Sequence, residues 1–176
     1  MTKVFRYVLI FFLLTANISC DQISKNIVRE KMFHLEEISL ISSYIKLIKV
    51  ENTGAFLSLG NTIPQPFKSI ILAFLPLLFL AIAFVYVFTN RSLSLPRVIA
   101  ISFVIGGGVG NIYDRLVHGS VTDFLHINLG IIKTGIFNMA DVSIMIGMVM
   151  LLIESFIVRN KEVFEGPATD NNESTG

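Results

Sequence analysis

The fold is decided by Ser69–Asn90, with the sequence SIILAFLPLLFLAIAFVYVFTN, which contains no charged residue. An apolar helix needs about 20 residues to cross a bilayer, and this stretch is long enough. Hydrophobic residues make up 53% of the 176-residue chain and charged residues only 15%. That composition indicates a small integral membrane protein.

Three other apolar segments are interrupted by charge, so each must include flanking charged residues to span a bilayer. Together with Ser69–Asn90 they predict an all-α integral membrane protein with four transmembrane helices. We place a four-span domain at residues 1–160 and a disordered cytoplasmic tail at 161–176, whose polar composition cannot bury a core. The predicted spans are about residues 4–24, 67–88, 96–114 and 136–158, and the extracytoplasmic loops are about 25–66 and 115–135.

The first extracytoplasmic loop is predicted to contain a small β region. Tyr44–Val50 is rich in β-branched residues and precedes the turn signal Asn52-Thr-Gly54, so a short strand is expected there. The apolar stretch Ala55–Leu59 comes before Gly60 and two prolines, and we expect it to lie on the bilayer surface. In the third span, the spacing of Gly106 and Gly110 predicts close packing against a neighbouring helix.

Unusual polar residues collect at one membrane face. Four antiparallel spans place the end of the first span, the end of the third and the start of the fourth at the same face, together with both extracytoplasmic loops. This face therefore gathers Asp21, Asn52, Gly54, Asp114, Arg115, Asp123 and Asp141.

Asp123 and Asp141 are the acids that say most about function. An acid at the centre of a membrane helix costs about 2.5–3.5 kcal/mol on insertion scales, so such a residue is a functional-site candidate. Two carboxylates about 3 Å apart cannot both ionise, so they share one proton, which leaves one as base and the other as acid. Such a pair can hydrolyse a peptide by activating a water molecule and polarising the carbonyl.

Two other classes of protein fit parts of the sequence. A proton- or ion-coupled transporter would also use paired intramembrane acids, although Ile70–Phe88 offers no charged, amide or aliphatic hydroxyl group for a path. A lipoprotein is the second class, because Cys20 follows a basic and then apolar segment. Asn17 and the polytopic remainder of the chain oppose that interpretation.

Nucleic-acid binding and metal chemistry have little support in the sequence. The net charge is +1 and no basic run is present, so the chain lacks the electrostatic footprint of a nucleic-acid binder. The single cysteine and the three histidines share no metal-ligand spacing. We expect neither a metal nor a cofactor.

Five sequence blocks, in this order along the chain, resemble the prolipoprotein signal peptidase family, also called signal peptidase II. The resemblance implies an aspartic endopeptidase of the bacterial inner membrane, which removes the signal peptide just before a diacylglyceryl-modified cysteine. It also implies that Asp123 and Asp141 are catalytic and that globomycin inhibits the enzyme. The blocks are DQISK (21–25), NTGAF (52–56), GNIYDR (110–115), VTDF (121–124) and FNMAD (137–141).

Two residues in these blocks are candidates for supporting the site, each with a structural alternative. Asn138 could orient Asp141 or the scissile peptide, or it could cap the last helix. Arg115 could hold a site loop or a lipid phosphate through bidentate hydrogen bonds, or it could simply pair with Asp114.

The other blocks supply further supporting or substrate-binding candidates. Asn52 and Gly54 could meet the substrate backbone, or they could form an ordinary turn. Asp21 and Lys25 have the spacing of an intrahelical ion pair, which could be their whole role. Asn111 could order the polar cluster through hydrogen bonds.

Basic residues near the span ends predict the orientation. Lys3, Arg6, Arg91 and Arg97 favour the cytoplasmic side, so we expect both termini in the cytoplasm and the polar face in the periplasm. The expected partners are diacylglyceryl-modified prolipoproteins and membrane lipids, and we expect the protein to be a monomer.

Overall fold

A computed structural model describes residues 2–41, 44–54, 67 and 70–165. Ala55–Leu59 and residues 166–176 of the expected tail lie outside the described residues. Within the described part of the chain, four helices are long and apolar enough to cross a membrane, and a three-stranded antiparallel sheet accompanies them. The fold class predicted from the sequence is therefore confirmed.

The helices form a bundle whose members are joined by short and long connections. The third and fourth helices run past each other for most of their lengths, and the first packs mainly on the third. The helices are α1 (Lys3–Lys31), α2 (Leu75–Thr89, preceded by a π-helical turn at Ile70–Phe74), α3 (Leu95–His118) and α4 (Met139–Glu165).

Helix α1 continues beyond the expected end near residue 24, up to Lys31. Its last turn is held by the Lys49 ammonium, which donates to the carbonyls of Arg29 and Met32, both at 2.9 Å. Val28 and Met32 are buried against Phe124, so the end of the helix packs on the sheet. These tertiary contacts stabilise a helical extension whose residues carry charge and are not recognisable as a span.

Helix α4 also exceeds its predicted length, because it runs through Glu165 and so into the segment expected to be a tail. At the other end of the bundle, Pro76 lies in the first turn of α2, directly after the π-helical turn. Proline cannot donate the backbone hydrogen bond of a regular turn and its ring crowds the preceding one, which accounts for the wider turn there.

The sheet has the order β1-β2-β3, with β1 at Glu37–Ile41, β2 at Ile45–Asn52 and β3 at Val121–Ile127. Strand β2 corresponds to the strand predicted near residues 44–50. Strand β3 follows α3 almost directly, because Gly119 ends that helix in the left-handed conformation with φ of 75°. Asp123 lies in the second predicted extracytoplasmic loop, where it occupies β3 and pairs with Val50.

Close packing at the glycines of α3 brings the helices together near the polar face. A Cβ atom at Gly107 would lie 2.3 Å from the Ala140 carbonyl oxygen, and one at Gly110 would lie 2.4 Å from Asp21 Oδ2. Any side chain there would push α1 or α4 away. The prediction of close helix packing at this glycine cluster is confirmed.

Candidate active site

Asp141 lies in the first turn of α4, where it forms a capping box with Asn138. The Asp141 backbone N–H donates to Asn138 Oδ1 at 3.0 Å, and the Asn138 N–H donates to Asp141 Oδ2 at 3.2 Å. This reciprocal pair satisfies two backbone donors that a helix start leaves free. The cap therefore fixes the orientation of the Asp141 carboxylate, so the two roles considered for Asn138 are combined.

Asp123 faces the same site from strand β3 and is buried, with 4% of its surface exposed. The Asn138 side-chain amide donates to Asp123 Oδ1 at 2.6 Å, and the Asn52 amide donates to Oδ2 at 2.9 Å. Burial raises the pKa of Asp123 to about 6, and the charge on Asp141 acts in the same direction, against the two hydrogen bonds. Asn138 thus contacts both aspartates at once.

Asn111 of α3 connects Asp141 to the rest of the polar cluster. Its Nδ2 donates to Asp141 Oδ1 at 2.9 Å, while its Oδ1 accepts from Lys25 Nζ at 3.0 Å and from Asn138 Nδ2 at 3.2 Å. An ammonium can only donate. Lys25 therefore determines which end of the Asn111 amide faces Asp141.

A buried charge cluster, defined as Asp21, Lys25, Arg29 and Asp114, lies between α1 and α3 next to the site. Lys25 pairs with Asp21 at 2.8 Å and with Asp114 at 2.9 Å, and all three side chains are fully buried. Arg29 pairs with Asp114 at 2.8 Å. The predicted Asp21–Lys25 ion pair forms, but it is not the whole role of these two residues. It belongs to a cluster of two acids and two bases between α1 and α3.

Asp21 also joins the cluster to α4, because its Oδ1 accepts from the Ala140 backbone N–H at 2.9 Å. This contact holds the first turn of α4 against α1, next to Asp141. Asp21 is thus a support for the site and not only a partner of Lys25.

Arg115 contacts the turn before the site and does not pair with Asp114. Its guanidinium donates to the Gly54 carbonyl at 3.0 Å and to the Asn111 carbonyl at 3.3 Å. The Gly54 N–H in turn donates to Asn52 Oδ1 at 2.9 Å. The alternative pairing of Arg115 with Asp114 is therefore wrong, because α1 supplies the cations that neutralise Asp114.

Sequence reasoning missed Arg29, and it placed Asp114 at the polar face without its pairing to Lys25 and Arg29. The signal lay in the spacing of Asp21, Lys25 and Arg29, which are four residues apart and share one face of α1. That stripe predicts an acid on the facing helix. Because Asp114 and Arg115 are consecutive in the sequence, a pairing between these two residues was the simpler interpretation.

Both aspartates line a cavity of about 300 Å³. A second, apolar groove of about 670 Å³ runs along α4, and it shares Ile136 and Met145 with the cavity. Among the described residues, no group of three or more His, Cys, Asp and Glu side chains is placed to hold a metal ion. In the cavity, a water molecule could contact both carboxylates. The cavity adjoins the apolar groove, which runs along the membrane-spanning part of α4.

Comparisons with known proteins identify the family of this chain. The family described as Signal peptidase (SPase) II matches residues 13–157. The lipoprotein signal peptidase of Aquifex aeolicus (strain VF5) is 36% identical over 143 residues, which cover 79% of this chain and 80% of that protein. That of Syntrophus aciditrophicus (strain SB) is 30% identical over 156 residues, covering 88% and 96%.

A solved structure of a bacterial membrane enzyme has the same fold. It superposes with a TM-score of 0.78 at 21% sequence identity, over 92% of this chain and 93% of that one. The sequence relatives and the family match carry the functional conclusion. The chain belongs to the signal peptidase II family of aspartic peptidases, and its activity is that of a lipoprotein signal peptidase.

Proposed function

We propose that Asp123 and Asp141 are the catalytic pair, and that they hydrolyse the peptide bond just before a diacylglyceryl-modified cysteine. The observation that carries the proposal is the shared cavity, in which Asn138 donates to Asp123 and caps Asp141. A water molecule between the carboxylates would lose a proton to the ionised one and attack the scissile carbonyl carbon. The protonated one would donate its proton to the carbonyl oxygen.

The tetrahedral intermediate then collapses with transfer of a proton to the leaving nitrogen. The products are a signal peptide with a new carboxylate and a lipoprotein with a free amino group on its lipid-modified cysteine. Arg115, Asn111 and Asn52 support this chemistry by holding the backbone and the carboxylates. The low local dielectric strengthens each of these interactions.

The apolar groove supports the choice of substrate. Half of its lining residues come from α4, among them Val142, Met145 and Val149, so an acyl chain or an apolar signal peptide could lie there while the scissile bond reaches the cavity. The purified protein in detergent should therefore cut a lipid-modified precursor and leave the matching unlipidated precursor largely uncut. Equal rates on both precursors would contradict this substrate assignment.

The orientation that we propose has both termini in the cytoplasm and the cavity at the periplasmic face of the inner membrane. Basic residues near the other end of the bundle support it, among them Arg6, Arg91 and Arg97. We also propose that the monomer is the active form, since Asn52, Asn111 and Asn138 of a single chain already hold the two aspartates. Globomycin, which the family resemblance implies as an inhibitor, should block the cleavage.

Asn138→Ser separates the two roles of Asn138. Serine is a good N-cap and can still accept from the Asp141 N–H, but its side chain lacks the amide that donates to Asp123 and Asn111. We expect the melting temperature to stay close to that of the wild type, while the rate of cleavage falls by roughly 10- to 100-fold. Both are measured on the same purified sample.

A helix cap away from the site provides the control for Asn138→Ser. Ser94 caps α3 by accepting from the Arg97 N–H, at the other end of the bundle. Ser94→Ala should lower stability by about 1 kcal/mol and leave the rate of cleavage unchanged. The assignment of Asn138 would be contradicted if Asn138→Ser behaved like Ser94→Ala.

The pH profile should depend on Asp123. Because its pKa is raised to about 6, the pair loses its shared proton as pH rises through that value, and kcat/KM should fall. The Asn52 amide favours the ionised form of Asp123. Asn52→Ala removes this donor, so the pKa of Asp123 rises further and the alkaline limb of the profile should move to higher pH.

Asn128→Ala is the matched control for Asn52→Ala. Asn128 Oδ1 accepts from the Gly130 N–H at 3.0 Å, which is the same local turn that Asn52 makes with Gly54. Asn128 lies at the end of the sheet away from Asp123, so its loss should leave the alkaline limb in place. A shift to lower pH in Asn52→Ala would contradict the proposed hydrogen bond.

A further inference from the structure

Asp114 connects two chains of contacts, one that leads to Asp141 and one that leads to the strand carrying Asp123. Its buried carboxylate pairs with Lys25 and with Arg29, both from α1. Through Lys25 the first branch reaches Asn111, which donates to Asp141. The second branch runs through Arg29 to strand β3, and none of the roles assigned above uses it.

The second branch ends on Thr122, the residue before Asp123. Arg29 Nε donates to Thr122 Oγ1 at 2.8 Å, and the Thr122 hydroxyl donates to Glu51 Oε1 at 3.0 Å. The Thr122 backbone N–H faces Asp114 Oδ2 at 3.4 Å. Thr122 is fully buried, so its side chain and backbone are held between α1, α3 and the neighbouring strand.

Strand geometry connects this contact to catalysis. Successive side chains of a strand point to opposite faces, so Thr122 faces the buried charge cluster while Asp123 faces the cavity. Any shift of the backbone at Thr122 therefore moves the Asp123 carboxylate relative to Asp141. A misplacement of about 1 Å in an active site can lower a rate by roughly 100-fold.

The shape of the Arg29 side chain matters more than its charge. Asp114 already has a buried cation in Lys25, at 2.9 Å. What Arg29 adds is a planar fork, with Nη2 on Asp114, Nε on Thr122 and Nη1 on Asn26 at 3.1 Å. A lysine ammonium could neutralise Asp114 but has no such fixed geometry for reaching Thr122 at the same time.

We propose that Arg29 is a positioning residue of this peptidase, which sets the place of Asp123 by holding Thr122 against Asp114. The proposal rests on the assignment of Asp123 and Asp141 as the catalytic pair. In this role Arg29 acts on strand β3 through Thr122, whereas Lys25 holds Asn111 in the branch that reaches Asp141.

Thr122→Val, Arg29→Lys and their double variant test the proposal in the purified full-length protein. Valine keeps the volume of Thr122 and removes the hydroxyl, without a change of charge. In each single variant we expect kcat for a lipid-modified precursor to fall by roughly 10- to 100-fold, with KM within about twofold of the wild type because the substrate groove is untouched. The double variant should be no slower than the slower single variant, because both substitutions break one contact.

Thr122→Ser keeps the hydroxyl and should retain most of the wild-type kcat. Arg97→Lys is the matched control, since Arg97 Nε also makes a 2.8 Å contact, with Glu154 at the opposite end of the bundle. Its kcat per folded molecule should equal that of the wild type. If Thr122→Val does not fold, Arg29→Lys gives the same test, because it keeps the charge balance of the cluster.

Three results would overturn the positioning role: wild-type kcat in both single variants, multiplied losses in the double variant, or a loss that appears only as less folded protein. The catalytic assignment fails separately. It would be refuted by cleavage in Asp123→Asn at a rate within about tenfold of the wild type, whatever the Arg29 and Thr122 variants do.

Discussion

Asp123→Asn and Asp141→Asn are each expected to slow the cleavage of a lipid-modified precursor by at least about 10³-fold. An amide can neither accept the proton of the attacking water nor hold the proton that the pair shares. Mass spectrometry of the precursor and its products, on purified variants, measures the effect. Activity within about tenfold of the wild type in either variant would remove that residue from the catalytic pair.

Folding should survive these two substitutions. In Asp141→Asn, the side-chain oxygen can still accept from the Asn138 N–H, so the cap of α4 is retained. Glu154→Gln is the matched control, because it makes the same acid-to-amide change in α4 where Glu154 pairs with Arg97. Its cleavage rate should match that of the wild type.

Lys25→Met is expected to have the largest effect on stability. Lys25 is fully buried between Asp21 at 2.8 Å and Asp114 at 2.9 Å, so its loss leaves two buried carboxylates with Arg29 as the remaining cation of the cluster. Removing one partner of a buried ion pair costs about 3–5 kcal/mol. Unfolding in detergent, followed by circular dichroism, measures the change.

Two further variants serve as a control and as a partial rescue for Lys25→Met. Arg97→Met breaks an ion pair whose Arg97 side chain is 36% exposed, and it should cost no more than about 1 kcal/mol. Asp21→Asn combined with Lys25→Met removes one acid with the base, so it should recover part of the lost stability. A Lys25→Met protein as stable as Arg97→Met would show that the cluster is not a buried charge network.

The number and approximate positions of the membrane spans could be predicted because hydropathy along the sequence reveals them. Ser69–Asn90 needs no tertiary information to be identified as a span. The capping box could be anticipated in part, since Asn138 and Asp141 have the spacing of a helix start. That Asn138 also reaches Asp123 could not be read from spacing, because the contact joins α4 to a strand on the other side of the cavity.

Strand β3 and the charge cluster depend on tertiary contacts. The sequence VTDFLHI is buried at its first four positions, so the alternation that marks a half-buried strand is missing and the sequence does not predict a strand in the second extracytoplasmic loop. Asp114 and Arg115 are adjacent on α3 and point about 100° apart. Their partners come from α1 and the Asn52–Gly54 turn, which sequence adjacency does not reveal.

We expect Asp123 and Asp141 to share one proton in the cavity that both line. Infrared difference spectroscopy of protein with ¹³C-labelled aspartate, comparing wild type with Asp123→Asn, measures the protonation of Asp123 directly. We predict a protonated carboxyl band that disappears with a midpoint near pH 6 in the wild type and at lower pH in Asp141→Asn, where the neighbouring charge is absent. A wild-type Asp123 that is fully ionised at about pH 4.5, or a midpoint that Asp141→Asn leaves unchanged, would contradict the shared proton.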